Sequence, residues 1–152
     1  MIPHEIVEII TGFIGSIGFG VLFNIRGKRL WAASLMGLLS WVMFLGFKLI
    51  IDSDPVIYFI IAVILSVMAY FISVWMKTPT TTFILTSIVP LIPGGSLYST
   101  MAFAFAGETE RFAEKGMYTI SLAAALGLGI MVSSLFTQMF AKKNEKPPAF
   151  FK

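Results

Sequence analysis

The sequence contains no cysteine and a single histidine, and only 12% of its 152 residues are charged. The absence of cysteine excludes disulfide bonds and thiolate chemistry. The single histidine, His4, lies outside the first apolar segment, so we expect no metal site and no bound cofactor. Because no nucleophile–base pair is evident either, we expect no catalytic residues and no enzyme activity. Soluble domains usually carry about 25% charged residues, and the shortage here indicates that lipid surrounds most of the surface.

Hydrophobic residues make up 57% of the chain, and the mean hydropathy is +0.89. A transmembrane helix needs about 20 apolar residues, and about five such segments fill the chain. They cover residues 6–25, 30–51, 56–76, 83–106 and 117–141, with a polar loop at 107–116. The sequence therefore predicts an all-α polytopic transmembrane helix bundle. It forms a single transmembrane domain at 1–141, followed by a disordered cytoplasmic tail at 142–152.

Basic residues lie at the ends of the apolar segments. With five spans, eight of them fall on one side: Arg26, Lys28, Arg29, Lys77, Lys142, Lys143, Lys146 and Lys152. Three fall on the other side: Lys48, Arg111 and Lys115. Because cytoplasmic loops carry the excess of Lys and Arg, we expect a multi-pass protein of the inner or plasma membrane, with the N-terminus outside and the C-terminus in the cytoplasm. The basic residues that give the net charge of +3 lie at span ends, where they indicate the orientation in the membrane. We therefore expect no nucleic-acid partner.

Small residues recur at four-residue spacing in two segments. The first segment carries Gly12, Ser16 and Gly20, and the fifth carries Ser121, Ala125, Gly129 and Ser133. In a helix this spacing forms one smooth face, which lets another helix approach closely. The pattern predicts helix packing, within this chain or against another one. Two deep aromatic residues, Trp41 and Tyr70, are interpreted as packing residues as well.

The fourth segment is interrupted by two prolines and two glycines. Pro90 and Pro93 each remove a backbone donor, and Gly94 and Gly95 supply conformational freedom. The ten residues at 83–92 form roughly 15 Å of helix, half the hydrocarbon thickness, so the break falls near the midplane. The fourth segment either crosses the membrane completely or returns to the side on which it started. In the second case the chain would have four full spans. Hydrocarbon cannot satisfy the freed backbone groups, so the break must face protein, water or a ligand.

A second half-helix starting near Gly94 would present the free N–H groups of Gly95, Ser96 and Leu97. A helix N-terminus carries about half a positive charge and suits a carboxylate. The alternative is a proline kink that Ser and Thr side chains and packing satisfy. Asn24, at the inner end of the first segment, is interpreted either as a substrate contact or as a helix-ending residue. No ionisable residue lies near the centre of a span, so a proton relay would have to come from a partner.

Several motifs occur in the order and spacing of a known family. They are the run at 19–24, the basic turn at 26–29, the residues at 37–41, and the proline-glycine signature formed by Pro90, Pro93, Gly94, Gly95 and Tyr98. Over roughly residues 13–134, this arrangement resembles the small module of the threonine/serine exporter family. That module occurs fused behind a larger membrane half or as a separate subunit. The separate form is similar to the small subunit of a two-component succinate exporter.

The resemblance implies export of threonine and serine or of a small dicarboxylate, together with a larger membrane subunit. It implies functional roles at six positions: Asn24, Pro90, Pro93, Gly94, Gly95 and Tyr98. We add Ser96 to the candidate substrate-binding residues because of its expected free N–H. Two alternatives stay open: a non-transporting subunit that stabilises the larger one, and a homo-oligomeric pore.

Overall fold

The computed structural model describes residues 4–144, with side chains over residues 6–139. The helices are α1 (His4–Leu22), α2 (Lys28–Lys48), α3 (Asp54–Met76), α4 (Thr80–Ile88), α5 (Gly94–Phe105) and α6 (Thr109–Asn144). A 3₁₀ turn, Val89–Leu91, follows α4. The described residues contain no strand, and the predicted all-α fold is confirmed.

Three helices, α2, α3 and α6, are long and apolar enough to cross a membrane. The pair formed by α4 and α5 passes the same test together but bends by 54° at the break. The apolar part of α1, Ile6–Leu22, is shorter. At 1.5 Å per residue, the 19 residues of α1 extend about 28 Å, close to the hydrocarbon thickness. The five predicted segments are thus present as three long helices, one bent pair and one shorter helix.

Helix α6 extends beyond the predicted fifth segment at both ends. The stretch 107–116 was predicted as a loop, but α6 begins at Thr109. Hydropathy marks the membrane segment, whereas Glu, Arg, Ala and Lys in this stretch are strong helix formers that continue the helix beyond it. At the other end, residues 142–144 of the predicted tail continue α6. The remaining tail, 145–152, lies outside the described residues.

Contacts between α3 and α6 show that these helices run parallel. The Tyr118 hydroxyl donates to the Asp54 carboxylate at the start of α3. Further along, a Cβ built on Gly129 would lie 2.6 Å from Ala62 Cβ. Both residue numbers increase together along the contact, so the two helices run side by side in one direction. In the same way, Gly12 against Trp41 and Gly37 against Ser16 show that α1 and α2 are antiparallel.

The bent pair connects opposite ends of α3. Thr80 at the start of α4 lies 2.7 Å, hydroxyl to hydroxyl, from Ser73 near the end of α3. Thr100 in α5 lies 3.3 Å, hydroxyl to hydroxyl, from Thr119 in α6. Thr119 follows Tyr118, which bonds to the start of α3. The contacts therefore favour the crossing form of the fourth segment over the re-entrant form.

The basic residues separate to the two ends of the bundle. Lys28 and Arg29 at the start of α2 border a cavity together with Trp75 at the end of α3. Lys48, at the other end of α2, pairs with Asp54 at an Nζ–Oδ1 distance of 2.7 Å. Lys115 lies over the Tyr118 ring at that same end, 5.4 Å from its centroid. The basic residues thus lie at the two ends of the bundle, as the predicted orientation requires. Which end faces the cytoplasm stays a prediction.

Helix α3 lies at the centre of the bundle. It packs against α2, α4 and α6, and its inward side chains Ile57, Ile61 and Leu65 are fully buried. Several buried hydroxyls in the surrounding helices bond to carbonyls of their own helix, among them Ser40 to Gly37 at 2.6 Å. Such bonds satisfy polar groups where hydrocarbon would offer no partner.

Candidate functional site at a helix break

The backbone between α4 and α5 is broken by two residues that lack an N–H. Pro90 lies inside the 3₁₀ turn, and Pro93 immediately precedes α5. Neither can donate the bond that would continue an α-helix. The carbonyl of Val89 instead accepts the N–H of Ile92 at 3.1 Å, a three-residue step. The fourth segment is therefore two helices with separate ends.

The start of α5 presents two unpaired backbone donors. Among the described residues, the N–H groups of Gly95 and Ser96 find no acceptor, backbone or side chain. The N–H of Leu97, which we expected to be free, donates to the Pro93 carbonyl at 2.9 Å. Two adjacent donors at a helix N-terminus form a compact anion-binding geometry.

Nothing within the described chain requires glycine at the start of α5. Neither Gly94 nor Gly95 has a positive φ angle, so the conformational freedom expected of them is not used. A Cβ built on either glycine meets no other atom within 4 Å. Glycine at these two positions leaves the backbone open to close approach by a ligand or another chain.

The two sides of the break are in different surroundings. On the proline side, Leu91 is fully buried, and Pro90 Cβ lies 3.5 Å from a Cβ built on Gly12 in α1. On the glycine side, Gly94 and Gly95 are exposed. The Tyr98 side chain, one turn further on, is 76% exposed. The described chain thus covers half of the break and leaves the donor half open.

A cavity of about 250 Å³ adjoins the proline side, between α1, α2 and the 3₁₀ turn. It is lined by Glu8, Thr11, Gly12, Gly15, Trp41, Val89 and Pro90. The indole Nε1 of Trp41 is buried and has no acceptor among the described residues. An indole N–H can only donate, and this one, in a residue that lines the cavity, stays without an acceptor within the described chain. Glu8, on an exposed turn of α1, adds a carboxylate at the rim.

A sequence-family model described as Threonine/Serine exporter, ThrE matches residues 8–136. This match covers the break, the cavity beside it, the second to fourth apolar segments and most of the first and fifth. The chain belongs to the threonine/serine exporter family. The resemblance seen in the motifs is thereby confirmed at the level of the family. Comparisons with curated proteins and with solved structures gave no match.

A second cavity in this exporter-family chain lies between α3, α4 and α6 and also measures about 250 Å³. Apart from Ile84, every residue lining it carries a hydroxyl or an amide: Ser66, Tyr70, Thr80, Thr81, Ser133, Ser134, Thr137 and Gln138. Ser66 and Ser133 are almost fully buried, and their hydroxyls have no partner among the described residues. Unpartnered buried hydroxyls beside a cavity are positions where an ordered water commonly binds.

The small-residue faces contact neighbouring helices of the same chain. A Cβ built on Gly20 would overlap Leu30 Cδ1, and one built on Gly37 would overlap the Ser16 hydroxyl oxygen. Gly129 meets α3 in the same manner, and Ala125 is buried beside it. In this exporter chain, the predicted packing positions therefore lie at intrachain contacts.

Asn24 lies apart from the break. It follows the last turn of α1 with a positive φ of 56°, and its Oδ1 accepts the Nε–H of Arg26 at 3.0 Å. Asparagine tolerates this left-handed conformation at helix ends. The structure thus brings Pro90, Pro93 and the glycine–serine run together and places Asn24 at the basic end of the bundle.

Sequence reasoning missed the two cavities. Trp41 and Tyr70 were interpreted as packing residues, yet each lines a cavity. For Trp41 both descriptions hold, because its ring also stacks on Phe44 at 5.2 Å between centroids. The sequence feature that could have indicated the cavity at Trp41 is the position of its indole N–H deep within an apolar segment. For Ser66 and Ser133 no local signal existed, since most membrane-helix serines bond to their own backbone.

Proposed function

We propose that the chain is a membrane subunit of a secondary exporter for small carboxylate-bearing metabolites. These are threonine and serine or a succinate-like dicarboxylate, and a larger membrane subunit of the same family completes the transporter. The observation that carries the proposal is the pair of free N–H groups of Gly95 and Ser96 at a mid-chain break. Discontinuous helices in transporters hold anionic substrate groups at such N-termini.

Electrostatics support a carboxylate at this position. The N-terminus of α5 carries about half a positive charge, and no acidic residue in its first turn neutralises that charge. Serine, threonine and succinate share the carboxylate that this geometry recognises. Within the exporter family, a threonine- or serine-type substrate agrees with the family description, and the dicarboxylate is the second candidate.

The larger subunit supplies what this chain lacks around the break. An unsatisfied backbone group in hydrocarbon costs several kcal/mol, so the open side of α5 cannot face lipid tails. Among the described elements, helix α5 packs mainly on α6, with Tyr98 and Phe105 exposed. A partner that covers this side would enclose the donors together with the substrate. It would also contribute the ionisable coupling group absent from the span centres.

The two cavities give the proposed path an opening toward each end of the bundle. The cavity containing Trp41 opens near the start of α1. The hydroxyl-lined cavity lies near the start of α4 and the end of α6. With the N-terminus outside and the C-terminus in the cytoplasm, the hydroxyl-lined cavity is on the cytoplasmic side, where an exported solute enters.

Co-expression tests the subunit assignment. A host without its own exporters would carry this chain alone, the larger subunit alone, or both, and mass spectrometry would follow extracellular threonine, serine and succinate. We expect efflux only with both chains. Flux from this chain alone in liposomes would instead establish a homo-oligomeric pore.

The second candidate function is that of a non-transporting subunit that stabilises the larger one. The exposed face of α5 favours it if that face binds the partner and takes no part in binding substrate. A larger subunit that exports at full rate once another means stabilises it would establish this role and exclude ours.

Replacing Ser66 or Ser133 by alanine tests the hydroxyl-lined cavity. Their hydroxyls have no protein partner, so we expect the free energy of unfolding in detergent to stay within about 1 kcal/mol of wild type. We expect efflux to fall several-fold, because the cavity loses a polar contact for the solute. Ser40→Ala is the matched control: it removes a hydroxyl that bonds to its own helix away from this cavity, and it should change stability by no more than about 1 kcal/mol without a loss of efflux. Unchanged efflux in both cavity variants would remove the cavity from the path.

A further inference from the structure

A groove runs between α2 and α3 on a face that neither cavity of the proposed path shares. Its apolar part has a volume of about 250 Å³ and is lined by aliphatic, methionine and tryptophan side chains, including Leu35, Leu39 and Met68. A basic cavity of about 290 Å³ adjoins this groove and is lined by Lys28, Arg29, Trp75 and Met76. Trp75 and Met76 border both, so the apolar groove continues directly into the basic cavity.

The two parts of the groove differ in chemistry. The apolar part contains no charged residue. At the basic end, Lys28 and Arg29 have no carboxylate within 4.0 Å among the described residues, and the first turn of α2 contains no acidic residue. Within the described chain, Lys28 and Arg29 are therefore two cations without a paired carboxylate at the end of a groove lined by apolar side chains. Such a groove is complementary to a molecule with an anionic head and an apolar tail.

We propose that this groove binds an anionic phospholipid, with the phosphate between Lys28 and Arg29 and one acyl chain along α2 and α3. Along α3, the groove extends from Met76 to Met68, roughly 12 Å at 1.5 Å per residue. This length fits within one leaflet, which is half of the approximately 30 Å hydrocarbon core. The acyl chain of a lipid in that leaflet reaches the groove without leaving its own half of the bilayer.

Tryptophan side chains mark the level of the headgroup. Trp75 is 80% exposed and Trp31 is 62% exposed, and both lie at the basic end of the bundle. Exposed tryptophan is typical of the membrane–water interface, where its ring stays apolar and its N–H reaches polar groups. The phosphate of a bilayer lipid would thus lie at the depth of Lys28 and Arg29. Free phosphate would use the cations alone, and a neutral lipid would use the groove alone.

Lipid retention by the purified full-length chain tests the proposal. The chain in neutral detergent is mixed with dioleoyl phosphatidylglycerol or with dioleoyl phosphatidylcholine, and bound lipid is counted by native mass spectrometry. We expect the anionic lipid to bind more tightly, by about fivefold for each basic contact. Lys28→Gln and Arg29→Gln should each lose about fivefold in affinity for phosphatidylglycerol and little for phosphatidylcholine.

Arg26→Gln is the matched charge control. Arg26 lies in the same turn, but its Nε donates to Asn24 Oδ1 and it does not line the groove, so phosphatidylglycerol binding should persist. Leu35→Ala tests the apolar part. Leu35 is 56% exposed, so truncating it opens no buried cavity in the fold, while both lipids should bind more weakly. Circular dichroism and gel filtration check that each variant is folded, and Lys28→Arg should retain binding.

Three outcomes would overturn the lipid site. The first is equal binding of the two lipids, and the second is unchanged phosphatidylglycerol binding in the Lys28→Gln, Arg29→Gln double variant. The third is displacement of phosphatidylglycerol by millimolar inorganic phosphate, which would reduce the site to a general anion contact. None of these outcomes depends on transport, so the lipid site and the exporter function are tested separately.

Discussion

We expect replacement of Gly94 or Gly95 by leucine to abolish efflux while membrane insertion stays intact. The backbone at both positions accepts a side chain, because neither φ is positive and no atom lies within 4 Å of a built Cβ. The fold of this chain therefore tolerates the change. A leucine would instead occupy the space in front of the Gly95 and Ser96 donors. We expect efflux of threonine, serine or succinate to fall to the level of cells without the chain.

Gly127→Leu is the matched control for this loss. Gly127 is also exposed, and a Cβ built on it also meets no atom within 4 Å, but it lies in the middle of α6. We expect this variant to export normally. Co-purification with the larger subunit then separates the two uses of the glycines. If Gly94→Leu still binds the partner but does not export, the loss concerns substrate. Normal efflux from both leucine variants would show that the break takes no part in transport.

The largest expected effect on stability comes from Gly129→Ala. A Cβ at this position would lie 2.6 Å from Ala62 Cβ and 2.8 Å from the Phe59 carbonyl oxygen, so α6 would have to move away from α3. Overpacking of this kind typically costs about 1–3 kcal/mol. These helices form the most extensive contact in the bundle, so the cost falls on the whole fold. Reversible unfolding in mixed detergent micelles would measure it.

Gly127→Ala, two residues away, should change the free energy of unfolding in the opposite direction. Its Cβ meets open space, and alanine favours a helix over glycine by up to about 1 kcal/mol. We therefore expect a small stabilisation at Gly127 beside a clear loss at Gly129. Gly37→Ala should resemble Gly129→Ala, since its Cβ would overlap the Ser16 hydroxyl oxygen. Equal effects at Gly127 and Gly129 would mean that α6 does not pack on α3 as described.

Much of the fold follows from local sequence. Backbone groups in hydrocarbon must bond within their own segment, so the five apolar runs had to form helices, and their approximate ends follow from run length. The break also follows locally, because Pro90 and Pro93 cannot donate a helical bond. The limits of α6 do not follow from hydropathy. Thr109 begins the helix because the polar residues after it are good helix formers, a property independent of the membrane.

The sequence by itself determined that this chain is a helical membrane protein of the exporter family and where its fourth helix breaks. These properties depend on composition, periodicity and motif order along one stretch of chain. Only the tertiary structure favours the crossing form of the fourth segment over the re-entrant form. That result depends on contacts between residues distant in sequence, such as Tyr118 with Asp54.

Tertiary structure also decided which side of the break is covered. Pro90 packs on α1, whereas Gly94 and Gly95 stay open, although all three lie within six residues. The cavities arise for the same reason. Ser66 and Ser133, whose hydroxyls have no partner among the described residues, line the space that α3, α4 and α6 leave between them. A gap between helices is a property of how their surfaces fit together, and no single segment encodes it.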